Sequence, residues 1–124
     1  MPEGSRHAYS QRFGLKAETI AALWLRLKGY RILSKRFRAS GAEIDLVARR
    51  GAMIAFVEVK ARPDPDAALA AVTPEKARQI SRAARNWLAR YPQPPVMSFR
   101  LDAVIVSRRM LPRHVEAVLP LAID

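Results

Sequence analysis

Residues 41–62 read GAEIDLVARRGAMIAFVEVKAR, and the architecture turns on how this stretch pairs with itself. Two apolar-rich runs, Glu43–Ala48 and Met53–Lys60, flank Arg49-Arg50-Gly51-Ala52. Short runs rich in valine, isoleucine and phenylalanine around a glycine-containing link predict two antiparallel strands joined by a tight hairpin. Gly51 at the first central position suits a type II′ turn, which needs positive φ there. Such a turn pairs Arg50 with Met53. Counting outward sets Asp45 across from Glu58 and Glu43 across from Lys60. Because side chains alternate along a strand, Glu58 and Lys60 share one face, and Glu43 and Asp45 lie opposite Ile44 and Leu46.

Directly opposed residues have Cβ atoms roughly 4.5–5.5 Å apart, so Asp45 and Glu58 would repel one another. A divalent cation between them removes that repulsion. Oxygen donors with no sulfur or imidazole nearby favour Mg²⁺ or Mn²⁺. Lys60 could then steer a phosphate or orient an attacking water, which together describe a phosphodiesterase site. The same three residues also fit a salt-bridged, solvated face on an edge hairpin. The run Ala55–Lys60 is apolar enough for a central strand, where charges are rare unless paired or metal-bound.

Beyond the hairpin, Ala17, Ile20, Ala21, Trp24 and Leu27 recur at helical spacing from about Phe13, and Gly29 stops that helix. Tyr30–Arg38 reads as a strand. Ala61–Val72 reads as a loop with a short helical piece. Thr73-Pro74 is a helix start, a hydroxyl N-cap followed by proline at the first helical position. Ala77, Ile80, Ala84, Trp87, Leu88 and Tyr91 form that helix's apolar face, and Pro92, Pro94 and Pro95 end it. Val96–Val106 alternates as a strand, and Val115–Leu119 reads as a last short one. This order predicts an α/β architecture, a mixed sheet flanked by helices. Residues 1–12 are expected to be a flexible segment ahead of a single domain, 13–124.

The chain has 124 residues, with 22 Lys+Arg against 11 Asp+Glu and a formal charge of +11. Such a surplus attracts phosphate backbones, which release counterions as they are neutralised. Nucleic acid is the expected partner, and an anionic membrane lacks a supporting basic amphipathic helix. With no cysteine there are no disulfides, thiolate zinc sites or cysteine nucleophiles. His7 and His114 are too far apart in sequence to form a local metal pair. No stretch resembles a signal peptide or a membrane span, so a cytoplasmic location is expected.

Gly41–Ala48, then Phe56-Val57-Glu58-Val59-Lys60-Ala61-Arg62, then Val72–Lys76, then Phe99–Asp102 resemble the YraN-type family of small bacterial proteins. Asp45 followed by Glu58-Val59-Lys60 is similar to the Asp…Glu-x-Lys signature of the restriction-endonuclease-like superfamily. Archaeal Holliday-junction resolvases belong to the same fold group. The resemblance runs from about Phe13 to Val106, and Ile44 stands where the superfamily pattern often has proline. It implies a restriction-endonuclease-like fold with an antiparallel catalytic hairpin, and an endonuclease acting on branched or structured DNA. It makes Asp45 and Glu58 ligands of Mg²⁺ or Mn²⁺ and Lys60 the catalytic lysine. Glu18, on the first helix, becomes a further ligand or water-positioning carboxylate. Resolvase-like relatives also suggest a homodimer, since a symmetric substrate needs two cuts.

The basic residues expected to hold nucleic acid, DNA ahead of RNA, are Arg31, Lys35, Arg36 and Arg38 before the hairpin, Arg62 after it, and Lys76, Arg78 and Arg82 on the second long helix. Two further readings stay open: a nuclease-like module that grips nucleic acid without cutting it, and a basic protein docking on a larger ribonucleoprotein or an acidic partner. Arg100 and Asp102 share a strand face, either supporting the site or pairing with each other. Trp24 and Trp87 are expected in the core, and His114 in a surface loop.

Overall fold

The computed structural model describes residues 16–123, so the expected flexible segment 1–12 and the helix start near Phe13 lie outside the described residues. Helix α1 is described over 16–27. Gly29, at φ +93°, closes it with a Schellman pair: Gly29 N–H donates to Arg26 O and Tyr30 N–H to Leu25 O, at 3.0 and 2.9 Å. There follow β1 (Arg31–Ala39), β2 (Ala42–Arg50), β3 (Met53–Ala61), α2 (Pro65–Ala70), α3 (Pro74–Arg90), β4 (Ser98–Val106) and β5 (Arg113–Leu119).

The five strands form one sheet in sequence order, antiparallel except for the parallel β3–β4 pair that brackets α2 and α3. This is the expected α/β mixed sheet with its antiparallel hairpin. Gly51 has φ +60° and the hairpin register is the expected one, Arg50 opposite Met53. Thr73 caps α3 as expected, its hydroxyl accepting the Lys76 N–H at 3.2 Å with Pro74 next in line.

Each face of the sheet is covered by one long helix. Ala17, Ala21, Ala22 and Leu25 of α1 pack with Leu46, Ala48, Ala55, Val57 and Val104. Ala77, Ile80, Ala84 and Trp87 of α3 pack with Val47, Ile54, Phe56 and Leu101. Strand β3 alternates cleanly between the two clusters, and burial on both faces explains its near-continuous apolar run. Trp87 is core, as expected, with its indole N–H donating to Ser34 Oγ at 2.8 Å. Trp24 is only half-buried and lies outside both clusters, and Leu27 is 74% exposed. Small residues on α1 let it approach the sheet closely, which turns the larger side chains outward. Tyr91 is likewise exposed, because it is the residue at which α3 stops.

Alternation fails in β2 near Asp45, as it does in β1 at the bulge between Ile32 and Ser34. Leu46 and Ala48 face α1, yet Ile44 sits in the α3 cluster beside Phe37. Opposite this point Arg36 has φ +50°, and the β1–β2 ladder runs from Lys35–Leu46 to Phe37–Ile44 without an Arg36–Asp45 pair. Both strands skip a residue at this step, and Ile44 and Leu46 do not share a face as the sequence suggested.

Candidate metal and phosphate site

The β2–β3 ladder stops at Leu46–Val57, one step short of Asp45 and Glu58. At that step the Asp45 carboxylate takes over from the backbone, with Oδ2 accepting the Val59 N–H at 2.7 Å. The expected pairing of Glu43 with Lys60 does not form. Glu43 instead stands across from Arg38 on β1, whose Nε donates to it at 2.8 Å. Lys60 aligns with Ile105 on β4 and holds Glu58 Oε1 at 3.1 Å.

Three carboxylates converge here from separate positions. Oxygens of Glu18 (α1), Glu43 and Asp45 (β2) lie within 4.8 Å of one another. Glu58, buried at the end of β3, lies outside that group of three but acts electrostatically on Asp45. Burial raises the Asp45 carboxyl first, and the charges of Glu58, Glu18 and Glu43 add to it, while the Val59 hydrogen bond opposes. The result is a carboxyl pushed up to about 7.

Glu58 is 4% exposed, and its Oε2 is buried with no hydrogen-bond partner among the described residues. A buried carboxylate oxygen without a donor is costly, and crowded carboxylates add repulsion. A hard divalent cation answers both, and the donor set is all oxygen. These residues fit Mg²⁺ or Mn²⁺. Glu43 was not among the expected ligands. Its i, i+2 spacing to Asp45 was the available signal, masked by the expected pairing with Lys60.

The basic residues divide. Arg36 donates to Glu18 at 2.7 Å, and with Lys35 and Thr19 it lines a depression of about 240 Å³ beside that carboxylate. Lys76, at the start of α3, comes within 3.9 Å of Glu58 Oε1, so it belongs to the site itself. Arg62 follows directly on β3. Arg78 and Arg82 are exposed further along α3, and Arg31 sits at the far end of β1 opposite Arg49.

Arg100 and Asp102 pair with each other in a network of their own on β4. The guanidinium meets both carboxylate oxygens at 2.7 Å and donates to Tyr30 OH at 2.8 Å. The other member overturns the expectation for His114. It lies in β5, its side chain 1% exposed, with Nε2 on Asp102 at 2.7 Å and Nδ1 on Lys28. Ala117 N–H also reaches Asp102, which burial pushes up but these donors together hold below the ordinary carboxylate range. This network ties β5 and α1 to β4.

A mixed five-stranded sheet between two helices, with Asp45, Glu58 and Lys60 gathered where its hairpin opens, defines an α/β protein of restriction-endonuclease-like architecture. Residues 17–106 match the Uncharacterised protein family UPF0102. The chain belongs to this family, the YraN-type family its motifs resemble. It is similar to a UPF0102 protein of Methylobacterium nodulans, 54% identical over 91% of this chain and 88% of that one. It is also similar to UPF0102 proteins of Methylorubrum extorquens (53% identical, 90% and 87% covered) and Paramagnetospirillum magneticum (50% identical, 92% of each). Among the described residues no helix is long and apolar enough to cross a membrane.

Proposed function

We propose that the chain is a metal-dependent endonuclease that hydrolyses phosphodiester bonds in DNA, with branched or structured DNA as its substrate. The observation that carries this reading is the buried, unpartnered Glu58 Oε2 beside an Asp45 crowded by three other carboxylates. Asp45, Glu58, Glu43 and Glu18 would hold Mg²⁺ or Mn²⁺, and the chain has no cysteine to recruit a softer metal. Such an ion, when bound, polarises a phosphoryl oxygen and lowers the pKa of a bound water. The protein's own cations do the rest. Lys60 and Lys76 place positive charge beside Glu58, where a phosphoryl oxygen would gain negative charge. Arg36 and Lys35 receive the neighbouring phosphate. A non-cleaving nucleic-acid-binding module is the second reading, favoured by the Arg36–Glu18 and Arg38–Glu43 ion pairs already formed at the site.

The site is tested before the reaction. Free Mn²⁺ is followed by paramagnetic resonance as it is titrated into the wild type, Asp45→Asn and Glu58→Gln. Saturable binding in the wild type, weakened tenfold or more in both variants, supports the metal site and justifies screening branched, flapped and linear DNA. No binding at millimolar Mn²⁺, with or without DNA, moves the protein to the non-cleaving reading.

A further inference from the structure

Just past the metal site, β3 and β4 end side by side, Ala61 level with Val106. The two segments that leave them are stitched together: Arg62 N–H donates to Val106 O at 3.3 Å, and Ser107 Oγ to Arg62 O at 2.8 Å. Between them lies a groove of about 460 Å³, lined by Ala61, Arg62, Pro63, Arg108, Arg109 and Met110. Among the described residues its walls carry three guanidiniums and no carboxylate. Its floor is apolar, and Met110 is 58% exposed.

We infer that this groove is a subsite for a single nucleic-acid strand continuing from the metal centre, taking phosphates on Arg62 and Arg109 and one unstacked base against Pro63 and Met110. Charge argues for the occupant, since an apolar floor with guanidiniums at its rim matches a planar base attached to a polyanion. So does volume, which suits a ligand of nucleotide size. Position argues for continuity. Ala61 lies three positions beyond Glu58, about 10 Å along an extended strand, so a chain with a phosphate at Glu58 reaches the groove. A duplex cannot present an unstacked base there, so the groove selects a frayed end, flap or junction arm. Neither charge nor volume involves the carboxylates; only position refers to Glu58. The inference rests on the nucleic-acid part of the proposed function and is independent of cleavage.

The test is fluorescence anisotropy with a labelled single-stranded oligothymidylate and the matching blunt duplex, in EDTA, across a salt series. For single strands the slope of log affinity against log salt changes by about 0.7 for each phosphate that is no longer neutralised. The Arg62→Ala/Arg109→Ala pair should therefore lower that slope by about 1.4 and affinity tenfold or more. The Arg49→Ala/Arg90→Ala pair, which removes equal charge at the other end of the sheet, should lower affinity by less than threefold. Met110→Ala should weaken single-strand binding severalfold and leave duplex binding unchanged. Equal losses from the two arginine pairs would overturn the subsite. So would Met110→Ala acting alike on single strand and duplex, or poly-glutamate competing as well as the oligonucleotide. Mn²⁺ binding, measured on the same variants, should match the wild type. Failure of the metal site and failure of the groove therefore read out separately.

Discussion

Asp45→Asn removes the titrating carboxyl at the centre of the site while keeping an oxygen that accepts the Val59 N–H. In the folded, metal-free protein Asp45 titrates at about 7 against an ordinary 3.8. The folded state therefore holds a proton that the unfolded chain releases. Stability from this group is complete below about pH 4 and is lost as pH rises through about 7. A span of roughly three pH units, at about 1.4 kcal/mol per unit, gives a loss on the order of 4 kcal/mol. That is a large share of the roughly 5–15 kcal/mol typical of a domain. Asp102, whose carboxyl is lowered, has the opposite sign. Its stabilisation is present above its unfolded pKa and disappears only as pH falls below about 4, outside this window. The assay is urea unfolding followed by circular dichroism, in EDTA, at intervals from pH 4.5 to 8. The wild type should lose about 2–4 kcal/mol relative to Asp45→Asn across that range, and millimolar Mn²⁺ should cancel the loss by replacing the proton. Parallel wild-type and variant curves would refute the claim that burial and the neighbouring carboxylates raise the Asp45 carboxyl.

Glu43→Gln should weaken Mn²⁺ binding tenfold or more by paramagnetic titration, while Glu116→Gln, on β5, should leave it unchanged; equal affinities would remove Glu43 from the site. Asp102→Asn breaks the two-pronged Arg100 contact and the His114 bond within a buried network, and should cost about 3 kcal/mol or more in urea unfolding with Mn²⁺ affinity preserved. A loss below about 1 kcal/mol would mean the network does not anchor β5. Gly51→Ala meets open space but a φ of +60°, so it should cost about 1 kcal/mol with the amide spectrum of the sheet unchanged.

The hairpin was legible because its signals are local and agree. A glycine stands where positive φ is required, strand-forming residues flank it, and the turn length fixes the register. Helix α3 was legible for the same reason, through Thr73, Pro74 and a strong apolar stripe. Helix α1 shows the limit of periodicity. Counting Trp24 and Leu27 into the apolar face with Ala17 and Ala21 leaves out Ala22 and Leu25, which the packing buries. Arg36 gives no hint of a left-handed backbone, so the switch in facing at Ile44 was unreadable. Without it Glu43 points toward Lys60 on paper and toward Arg38 and Asp45 in the fold. His114 reads as a surface residue because its partners, Lys28 and Asp102, are distant in sequence and converge only once β5 docks on β4.

Apart from the bulge between Ile32 and Ser34, the local irregularities of β1–β3 fall together. The left-handed Arg36, the missing Arg36–Asp45 pair, the ladder ending at Leu46–Val57 and the orphaned Glu58 Oε2 all surround one cluster of acids. Left-handed backbone in a residue other than glycine costs on the order of 1 kcal/mol, and a buried unpartnered oxygen about as much or more. A solvated salt-bridge face accounts for Glu18 with Arg36 and Glu43 with Arg38, which are partly exposed and reach water. It does not account for Glu58, which is buried and satisfied on only one oxygen by Lys60, nor for drawing Asp45 toward three like charges. Departures from good local structure that coincide at one point, in a hairpin otherwise built from consistent signals, are what a site retained for binding produces. A divalent cation would satisfy the free oxygen of Glu58 and relieve the repulsion around Asp45 together.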